Sequence, residues 1–309
     1  MLWLLAAILA YFLLAIVSLV DKYLLATAIP NPKVYAFYVG VLGLLVLALV
    51  PWTGFVILSP WLMFLSLLSG FFFIYALFWY YRALQLFEAS RVIPAMGAFI
   101  PVFSFLLIFL FSRGQESLSG QSLLALVILI TGSILITLER KKLVTLKSLK
   151  FSALAAFFLA LSFVLIKYVY LEQPFWFGFI WRCLGGFLTA LLFFLIFPEI
   201  KTEIFKNKIL SQKKKIFYPS LFLLNQTAGA GANILQNWAT FLAPLIYVPF
   251  VYAISGLQYV FLFIFSLFLS LFFSFWIKTG LKEEISLVIL IQKIIAILLI
   301  GLGLALLFL

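Results

Sequence analysis

Amide side chains recur along one stretch of an otherwise apolar chain. Asn225, Asn233 and Asn237 follow one another at multiples of four residues, and Gly229 fills the remaining place in the series. On a helix these positions lie on one face, because side chains four residues apart are neighbours. Amides in this arrangement hydrogen-bond a polar solute in a cavity, or they join neighbouring helices. The sequence favours a cavity, because so many amides exceed what helix joining requires.

Two cations lie well inside apolar runs, Arg182 and Lys293. A charge within a membrane is costly and therefore needs a functional or structural reason. We expect Arg182 to contact a substrate and Lys293 to take part in gating. The alternative for Arg182 is a cation–π contact with Trp176 or Trp181, and the alternative for Lys293 is a side chain that reaches the interface.

Near the end of the first apolar run stands the only aspartate of the chain, Asp21, followed by Lys22. Lys167 occupies the corresponding place in the sixth run. A carboxylate that takes up and releases protons within a pathway would couple transport to a proton gradient, so these three residues are candidates for coupling or gating. The alternative is that Asp21 and Lys22 cap a helix end, which predicts exchange or facilitated diffusion.

The ninth run places aromatic and polar residues on one helical face. Tyr252, Ser255 and Tyr259 share that face, and Gln258 is adjacent. Tyr252 and Gln258 are therefore further candidates for substrate binding in a cavity wall. In a chain with 38 Phe and 13 Tyr, packing is the alternative for such an aromatic stripe.

The residue inventory disfavours an enzyme. The chain has no histidine and a single cysteine, Cys183, so it cannot assemble a Ser-His or Cys-His arrangement. Histidine is also the commonest metal ligand in proteins, so a metal site is disfavoured as well. No glycine-rich phosphate loop ending in Gly-Lys-Ser or Gly-Lys-Thr occurs. We therefore expect no catalytic residue, no metal and no cofactor.

The elements that must position these residues are membrane-spanning helices. The 309 residues are 67% hydrophobic and 10% charged, with a mean hydropathy of +1.28, whereas a soluble domain carries about a quarter charged residues. Lipid offers no hydrogen-bond partners, so only helices and closed barrels satisfy all of their backbone groups there, and these runs are too apolar for barrel strands. The sequence predicts an all-α polytopic membrane protein of about ten transmembrane helices. The apolar runs are 2–25, 34–50, 61–82, 89–111, 123–138, 151–170, 175–197, 217–241, 249–276 and 285–309.

The net charge of +12 is explained by topology and does not indicate nucleic-acid binding. Lys and Arg concentrate in the odd-numbered loops, which by the positive-inside rule face the cytoplasm and leave both termini external. These cations are Lys33, Arg82, Arg91, Arg140, Lys141, Lys142, Lys147, Lys150, Lys201, Lys206, Lys208, Lys213, Lys214, Lys215, Lys278 and Lys282. We expect a bacterial plasma membrane as the location, because no targeting segment or large extramembrane domain is evident.

The two halves of the chain repeat each other at an offset of about 145 residues. Asp21-Lys22 aligns with Ile166-Lys167, and the order of prolines and glycines that follows also repeats. Each half, 1–142 and 143–309, is predicted to hold five helices. Because five is odd, the halves insert in opposite directions, an arrangement typical of secondary transporters.

A resemblance supports this organisation. Tyr81-Arg82-Ala83-Leu84-Gln85, Glu88-Ala89-Ser90-Arg91, Pro101-Val102-Phe103, Gln115-Glu116-Ser117-Leu118-Ser119-Gly120-Gln121 and Gly132 resemble the central signature of EamA-type transporters of the drug/metabolite transporter superfamily. Lys282-Glu283-Glu284-Ile285-Ser286 and Gly301-Leu302-Gly303 repeat it. The resemblance implies a ten-helix, two-repeat fold that exports or exchanges small metabolites. Many members are described with cytoplasmic termini, whereas the cations here indicate external ones.

The sequence therefore predicts a secondary transporter for a small polar metabolite. Embedded cations outnumber embedded acids, so the expected substrate carries a carboxylate or a phosphate, as an amino acid or related compound does. The alternative function is a membrane scaffold or assembly subunit that transports nothing. The expected partners are the lipid bilayer and the solute, in a monomer or a homodimer.

Overall fold

The computed structural model describes residues 2–87, 89–116, 118–135, 146–205, 212–272 and 287–306, and within these ranges it contains helices and no strand. The helices are α1 Leu2–Thr27, α2 Pro32–Leu42, α3 Val50–Thr53, α4 Pro60–Leu86, α5 Ala89–Phe111, α6 Gly120–Leu135, α7 Leu146–Glu172, α8 Phe175–Ile196, α9 Pro198–Phe205, α10 Gln212–Leu242, α11 Val248–Ala253, α12 Gly256–Phe272 and α13 Leu287–Leu306.

Within the described ranges, six helical segments are long and apolar enough to cross a membrane: Leu2–Thr27, Pro32–Thr53, Pro60–Leu86, Lys147–Glu172, Phe175–Ile196 and Leu245–Leu262. Shorter apolar helices cover Ala95–Phe111, Gly120–Leu135 and Ile294–Leu306. The chain is thus an all-α integral membrane protein, because helices of this length and composition bury their backbone polar groups and expose apolar side chains to lipid.

Two of the predicted runs are interrupted. The second corresponds to α2, a 3₁₀ helix Gly43–Leu49 and α3. The ninth is preceded by a 3₁₀ helix Leu245–Tyr247 and is divided between α11 and α12. Pro249 lies in the first turn of α11, where its missing N–H costs nothing. Pro101 lies inside α5 and does not end it. The break between α11 and α12 brings Ser255 to a turn beside the centre of the bundle.

Helix packing joins elements that are distant in the sequence. α1 packs on α10, α7 packs on α4, α2 packs on α8, and α6 packs on α13. At the α4–α7 contact, Ser69 and Ser162 each donate a hydrogen bond to the other's backbone carbonyl oxygen at 2.8 Å. Small hydroxyl residues of this kind let two helices approach closely while their polar groups stay satisfied.

Glycines allow α4 and α8 to touch through their backbones. A Cβ atom added at Gly185 would overlap the backbone carbonyl oxygen of Leu67, and one at Gly70 would overlap the backbone of α8. Close backbone contact at small residues is a common way to pack helices in lipid. This contact fixes the part of α8 that carries Arg182.

The ends of the helices form two groups of contacts. Lys33 Nζ donates to Glu199 Oε1 at 2.8 Å and lowers the pKa of that carboxyl, while Gln85 donates to the carbonyl of Pro30 at 2.7 Å. In the other group, Trp181 Nε1 donates to the carbonyl of Val56 at 2.8 Å. Each contact joins segments that are distant in the sequence.

The α4–α8 contact predicts that two glycine-to-alanine substitutions differ in their effect on stability. Gly185→Ala forces a Cβ into the Leu67 backbone and is expected to cost about 1–3 kcal/mol of stability, the usual effect of overpacking. Gly301→Ala has open space around the added Cβ, because no described residue of a neighbouring element comes within 4 Å of it. Thermal unfolding of the two variants in the same detergent measures the difference. Equal melting temperatures would contradict the close α4–α8 contact.

Candidate functional site

A cavity of about 250 Å³ lies in the interior, between residues of α1, α2, α4, α5, α7, α8, α10 and α12. Most of its wall is apolar, but it includes one acid, Asp21, and one guanidinium, Arg182. A largely apolar pocket with a few convergent polar groups is the usual form of a small-molecule site. Its size suits a small metabolite, because drug-sized ligands occupy sites of about 300–1,000 Å³.

Arg182 is the most deeply buried charged side chain of this wall, with 1% of its surface exposed. Its Nη1 donates a long hydrogen bond of 3.4 Å to Asn233 Oδ1. Among the described residues, none accepts a hydrogen bond from Nε or Nη2. The guanidinium therefore faces the cavity with donors to spare.

Aromatic rings support the guanidinium, although they differ from the tryptophans suggested by the sequence. Arg182 Cζ lies 4.3 Å from the centre of the Phe73 ring and 5.7 Å from that of Phe163. Trp181 instead contacts Phe55 and the Val56 carbonyl. A cation–π contact offsets part of the cost of burial but supplies no hydrogen-bond acceptor.

The amide stripe on α10 divides between wall and support. Asn233 lines the cavity together with Gly229. Asn237 is fully buried and donates from Nδ2 to Asn233 Oδ1 at 2.8 Å, while Tyr170 donates to Asn237 Oδ1 at 3.4 Å. Asn237 thus orients Asn233, which in turn contacts Arg182. Both of the roles considered for the stripe, cavity wall and helix joining, are present.

Asp21 is not a helix cap. α1 continues six residues beyond it to Thr27, and only 3% of its surface is exposed. Its Oδ1 accepts hydrogen bonds from Tyr35 at 2.5 Å and from Asn225 Nδ2 at 2.6 Å. Among the described residues, no cation lies within ion-pair distance of Asp21. Asn225 therefore supports the acid and does not line the cavity itself.

Further polar residues of the cavity wall come from α1, where Tyr11 and Ser18 share the face of Asp21. Gln236 donates to Tyr11 at 3.2 Å, and Gln258 donates to Ser18 Oγ at 2.7 Å. Gln258 and Gln236 both line the cavity. Tyr11, Ser18 and Asp21 were detectable in principle, because their spacing of seven and three residues marks one helical face.

Lys22 and Lys167 have matching positions outside the cavity. Lys22 Nζ donates to the backbone carbonyl oxygens of Leu84 and Phe87 at the end of α4, at 2.5 and 3.1 Å. Lys167 Nζ donates to those of Phe241 and Ala243 at the end of α10, at 3.0 and 2.5 Å. Each lysine satisfies carbonyl groups that a helix end leaves unpaired, and its charge suits the negative end of the helix dipole.

Two other predicted residues are not part of the cavity wall that the structure describes. Tyr252 is 1% exposed, stacks on Phe163 at 4.4 Å and shares a hydrogen bond of 2.7 Å with Thr240. Its role in the structure is packing. The side chain of Lys293 lies outside the described part of the chain, as do Glu88 and Glu284.

Several residues of the site could not be selected from the sequence. Tyr35 reaches Asp21 from α2, and Tyr80 and Tyr81 line the cavity from α4. The chain has 13 tyrosines, and nothing in the sequence distinguishes these three from the tyrosines that only pack. Across the described ranges, no group of three or more Cys, Asp and Glu side chains is placed to hold a metal ion.

Comparison with known proteins establishes only the fold. No family model matches the chain, and no curated protein matches it. A solved structure described as "Crystal structure of protein" is similar with a TM-score of 0.62 and 17% identity, over 98% of this chain and 93% of that one. The arrangement of helices described above is therefore shared with a solved protein over almost the full length of both.

The buried Lys167 predicts a stability effect that surface lysines lack. Lys167→Met removes the ammonium donor from two carbonyl oxygens at the end of α10, and we expect the free energy of unfolding to fall by about 1–3 kcal/mol. Lys150→Met is the matched control on the same helix, because Lys150 is exposed. Thermal or denaturant unfolding in detergent checks this. Equal effects of the two substitutions would show that the lysine contact does not stabilise the helix end.

Proposed function

We propose that the chain is a secondary transporter that moves a small polar metabolite carrying a carboxylate or phosphate, such as an amino acid, across a membrane by alternating access. The observation that carries the proposal is Arg182, a buried guanidinium that lines the cavity with Nε and Nη2 unpartnered among the described residues. Substrate binding involves Arg182 and Asn233 directly, with Asn225, Asn237 and Gln258 as supporting residues.

The energetic argument concerns the cost of an unpaired charge. A buried charge without a partner costs several kcal/mol, and each unsatisfied donor adds about 1–3 kcal/mol. A scaffold would gain nothing from bearing that cost. An incoming carboxylate or phosphate offers two acceptors that match the fork of a guanidinium, so binding removes the penalty.

An architecture of about ten spans in two inverted repeats, 1–142 and 143–309, supports alternating access. Exchanging the halves turns the contact of α1 with α10 into the contact of α7 with α4, and both are present. The same exchange turns the contact of Lys22 with the end of α4 into that of Lys167 with the end of α10. Repeats related in this way can exchange conformations around a fixed site near the middle of the membrane.

The same organisation supports membership of the EamA-type transporters within the drug/metabolite transporter superfamily. The signature residues Ala83 and Gly132 lie at helix contacts, with Ala83 fully buried and Gly132 packed against Ile300. Motif residues that serve packing specify a fold and leave the substrate open. The substrate class therefore depends on the cavity.

The proposed orientation places the odd-numbered loops in the cytoplasm of a bacterial cell and both termini outside. Lys33 of the first loop contacts Glu199 of the seventh, which supports a common side for these loops. Trp3 near the N-terminus stacks on Tyr247 of the eighth loop at 6.5 Å, which supports the opposite side for the terminus. The cation excess of the odd loops then sets which side is cytoplasmic.

Gating is assigned to the lysines at the helix ends. Lys22 and Lys167 each tie the first helix of a repeat to the end of the third, and in an inverted repeat these ties lie on opposite sides of the membrane. Opening the cavity to one side requires movement at one tie while the other holds. Asp21, within the cavity, is the candidate for coupling, and Lys293 remains a prediction from the sequence.

The test is uptake by proteoliposomes of a panel of radiolabelled anionic, neutral and cationic metabolites. Wild-type protein is expected to transport members of the anionic group, and Arg182→Gln to lower their initial uptake rate at least about tenfold, because a charge-assisted hydrogen bond contributes about 1.5–3 kcal/mol. Lys201→Gln, which removes a cation outside the cavity, is the control and should leave the rate unchanged. Transport of organic cations that is insensitive to Arg182→Gln would overturn the proposal.

A further inference from the structure

The cavity has a second polar end, at Asp21. Among the described residues, Arg182 has unpartnered hydrogen-bond donors, whereas this end has unpartnered acceptors. Within the part of the chain that the structure describes, the Asp21 carboxylate has no cation partner, and its two hydrogen bonds both end on Oδ1. The adjacent Asn225 is 4% exposed, and its Oδ1 accepts no hydrogen bond among the described residues. This end has acceptors to spare, whereas the Arg182 end has donors to spare.

The balance of the two ends points to the chemistry of a single ligand. A carboxylate that lines the cavity calls for a donor that is also a cation, which describes an ammonium group. A guanidinium with two free donors calls for an anion that accepts hydrogen bonds. A ligand bearing both groups leaves the loaded cavity without net added charge, whereas a simple anion would satisfy only the Arg182 end.

The distance between the ends can be read along α10. Asn225 contacts Asp21, and Asn233 contacts Arg182. These two asparagines are eight residues apart on one helix, which corresponds to about 12 Å along its axis. The acid and the guanidinium are therefore too far apart to pair with each other.

A second helix gives the same distance independently. On α4, Phe73 lies under the Arg182 guanidinium at 4.3 Å. Tyr81, eight residues later, packs at 4.4 Å on the ring of Tyr35, whose hydroxyl donates to Asp21. Eight residues again correspond to about 12 Å. Two hydrogen bonds of about 2.9 Å each leave about 6 Å between the ammonium nitrogen and the acid oxygen of the ligand.

We propose that Asp21, held in place by Tyr35 and Asn225, forms an ammonium subsite, and that the cavity selects zwitterions whose ammonium and acid groups lie at opposite ends of a short chain. An extended chain advances about 1.2 Å per bond, so five bonds from nitrogen to acid oxygen, as in a γ-amino acid, span about 6 Å. The three bonds of an α-amino acid span about 3.5 Å and reach one end only. This inference rests on the proposed function and narrows its substrate class.

The test compares four probes on the purified protein by isothermal titration calorimetry. γ-Aminobutyrate and α-aminobutyrate are isomers that differ only in the position of the amine, while butyrate and n-butylamine each retain one charged group. Asp21→Asn is the variant of choice, because its amide oxygen still accepts hydrogen bonds from Tyr35 and Asn225. Butyrate binding serves as a measure of correct folding, since it depends on Arg182.

γ-Aminobutyrate is expected to bind at least about tenfold more tightly than each of the other three probes, because it alone gains a charge-assisted contact at both ends. Asp21→Asn is expected to remove that advantage and to leave butyrate affinity unchanged. Arg182→Gln should weaken both γ-aminobutyrate and butyrate. Gly301→Ala, a substitution away from the cavity, should alter neither.

Three outcomes would overturn the inference. Equal affinity for the two aminobutyrates would reject the spacing, and an equal loss of γ-aminobutyrate and butyrate binding in Asp21→Asn would make Asp21 a structural residue. Butyrate binding that requires sodium and loses this requirement in Asp21→Asn would assign the subsite to an inorganic cation. If no probe binds while proteoliposomes still show Arg182-dependent uptake of other anions, this inference fails and the proposed function stands.

Discussion

The guanidinium of Arg182 is buried in the middle of a protein whose surroundings are hydrocarbon, and the rest of the site is arranged around that charge. Such a group costs several kcal/mol unless something compensates it, and the described residues compensate it only in part. Phe73 and Phe163 lie against it, and Asn233 accepts one long hydrogen bond. In the proposed function, the substrate supplies acceptors to the remaining donors.

Precise placement of that charge depends on backbone contact. Gly70 and Gly185 let α4 and α8 meet without intervening side chains. This contact fixes the position of Arg182 along the helix axis relative to Phe73. Asn237 fixes the orientation of Asn233 through hydrogen bonds at 2.8 Å. Rigid elements with supported side chains are what a binding site requires, since small displacements reduce the benefit of each charged contact.

The proposed repeat separates structural residues from residues of the site. Lys22 and Lys167 make similar contacts with the ends of α4 and α10, so under the proposed repeat they belong to the common architecture. Asp21 corresponds to Ile166, and Arg182 corresponds to Gly40. Each charged group of the cavity thus lacks a charged counterpart in the other half, Asp21 lying in the first half and Arg182 in the second. A symmetric frame with an asymmetric interior can hold an asymmetric ligand in one orientation.

Sequence reasoning recovered the class of fold because the hydrophobic runs and their lengths leave few alternatives to helices in lipid. It singled out Arg182 and Asn233 as candidates because a polar group in an apolar run needs a partner, and both residues line the cavity. It considered Asp21 as a helix cap because charged residues near the end of an apolar run commonly mark a helix end, whereas α1 continues to Thr27. It favoured Tyr252 because helical spacing cannot tell whether a face meets a cavity or Phe163.

What the sequence could not supply was the pairing of helices across the bundle. Tyr35 and Asn225 reach Asp21 from α2 and α10, and these contacts depend on the rotation of each helix about its axis. Apolar runs in lipid carry little information about rotation, because both faces are hydrophobic. The ammonium subsite therefore emerges only once the helices are assembled.

The single cysteine provides the most direct measurement of the central claim. Cys183 follows Arg182 in the sequence and lines the same cavity, so its rate of modification reports the local electrostatic potential. Anionic and cationic methanethiosulfonate reagents of similar size should be compared on wild-type protein and on Arg182→Gln. An uncompensated guanidinium predicts faster modification by the anionic reagent, with the preference lost in the variant. Faster modification by the cationic reagent, or equal ratios in both proteins, would contradict a free positive charge in the cavity.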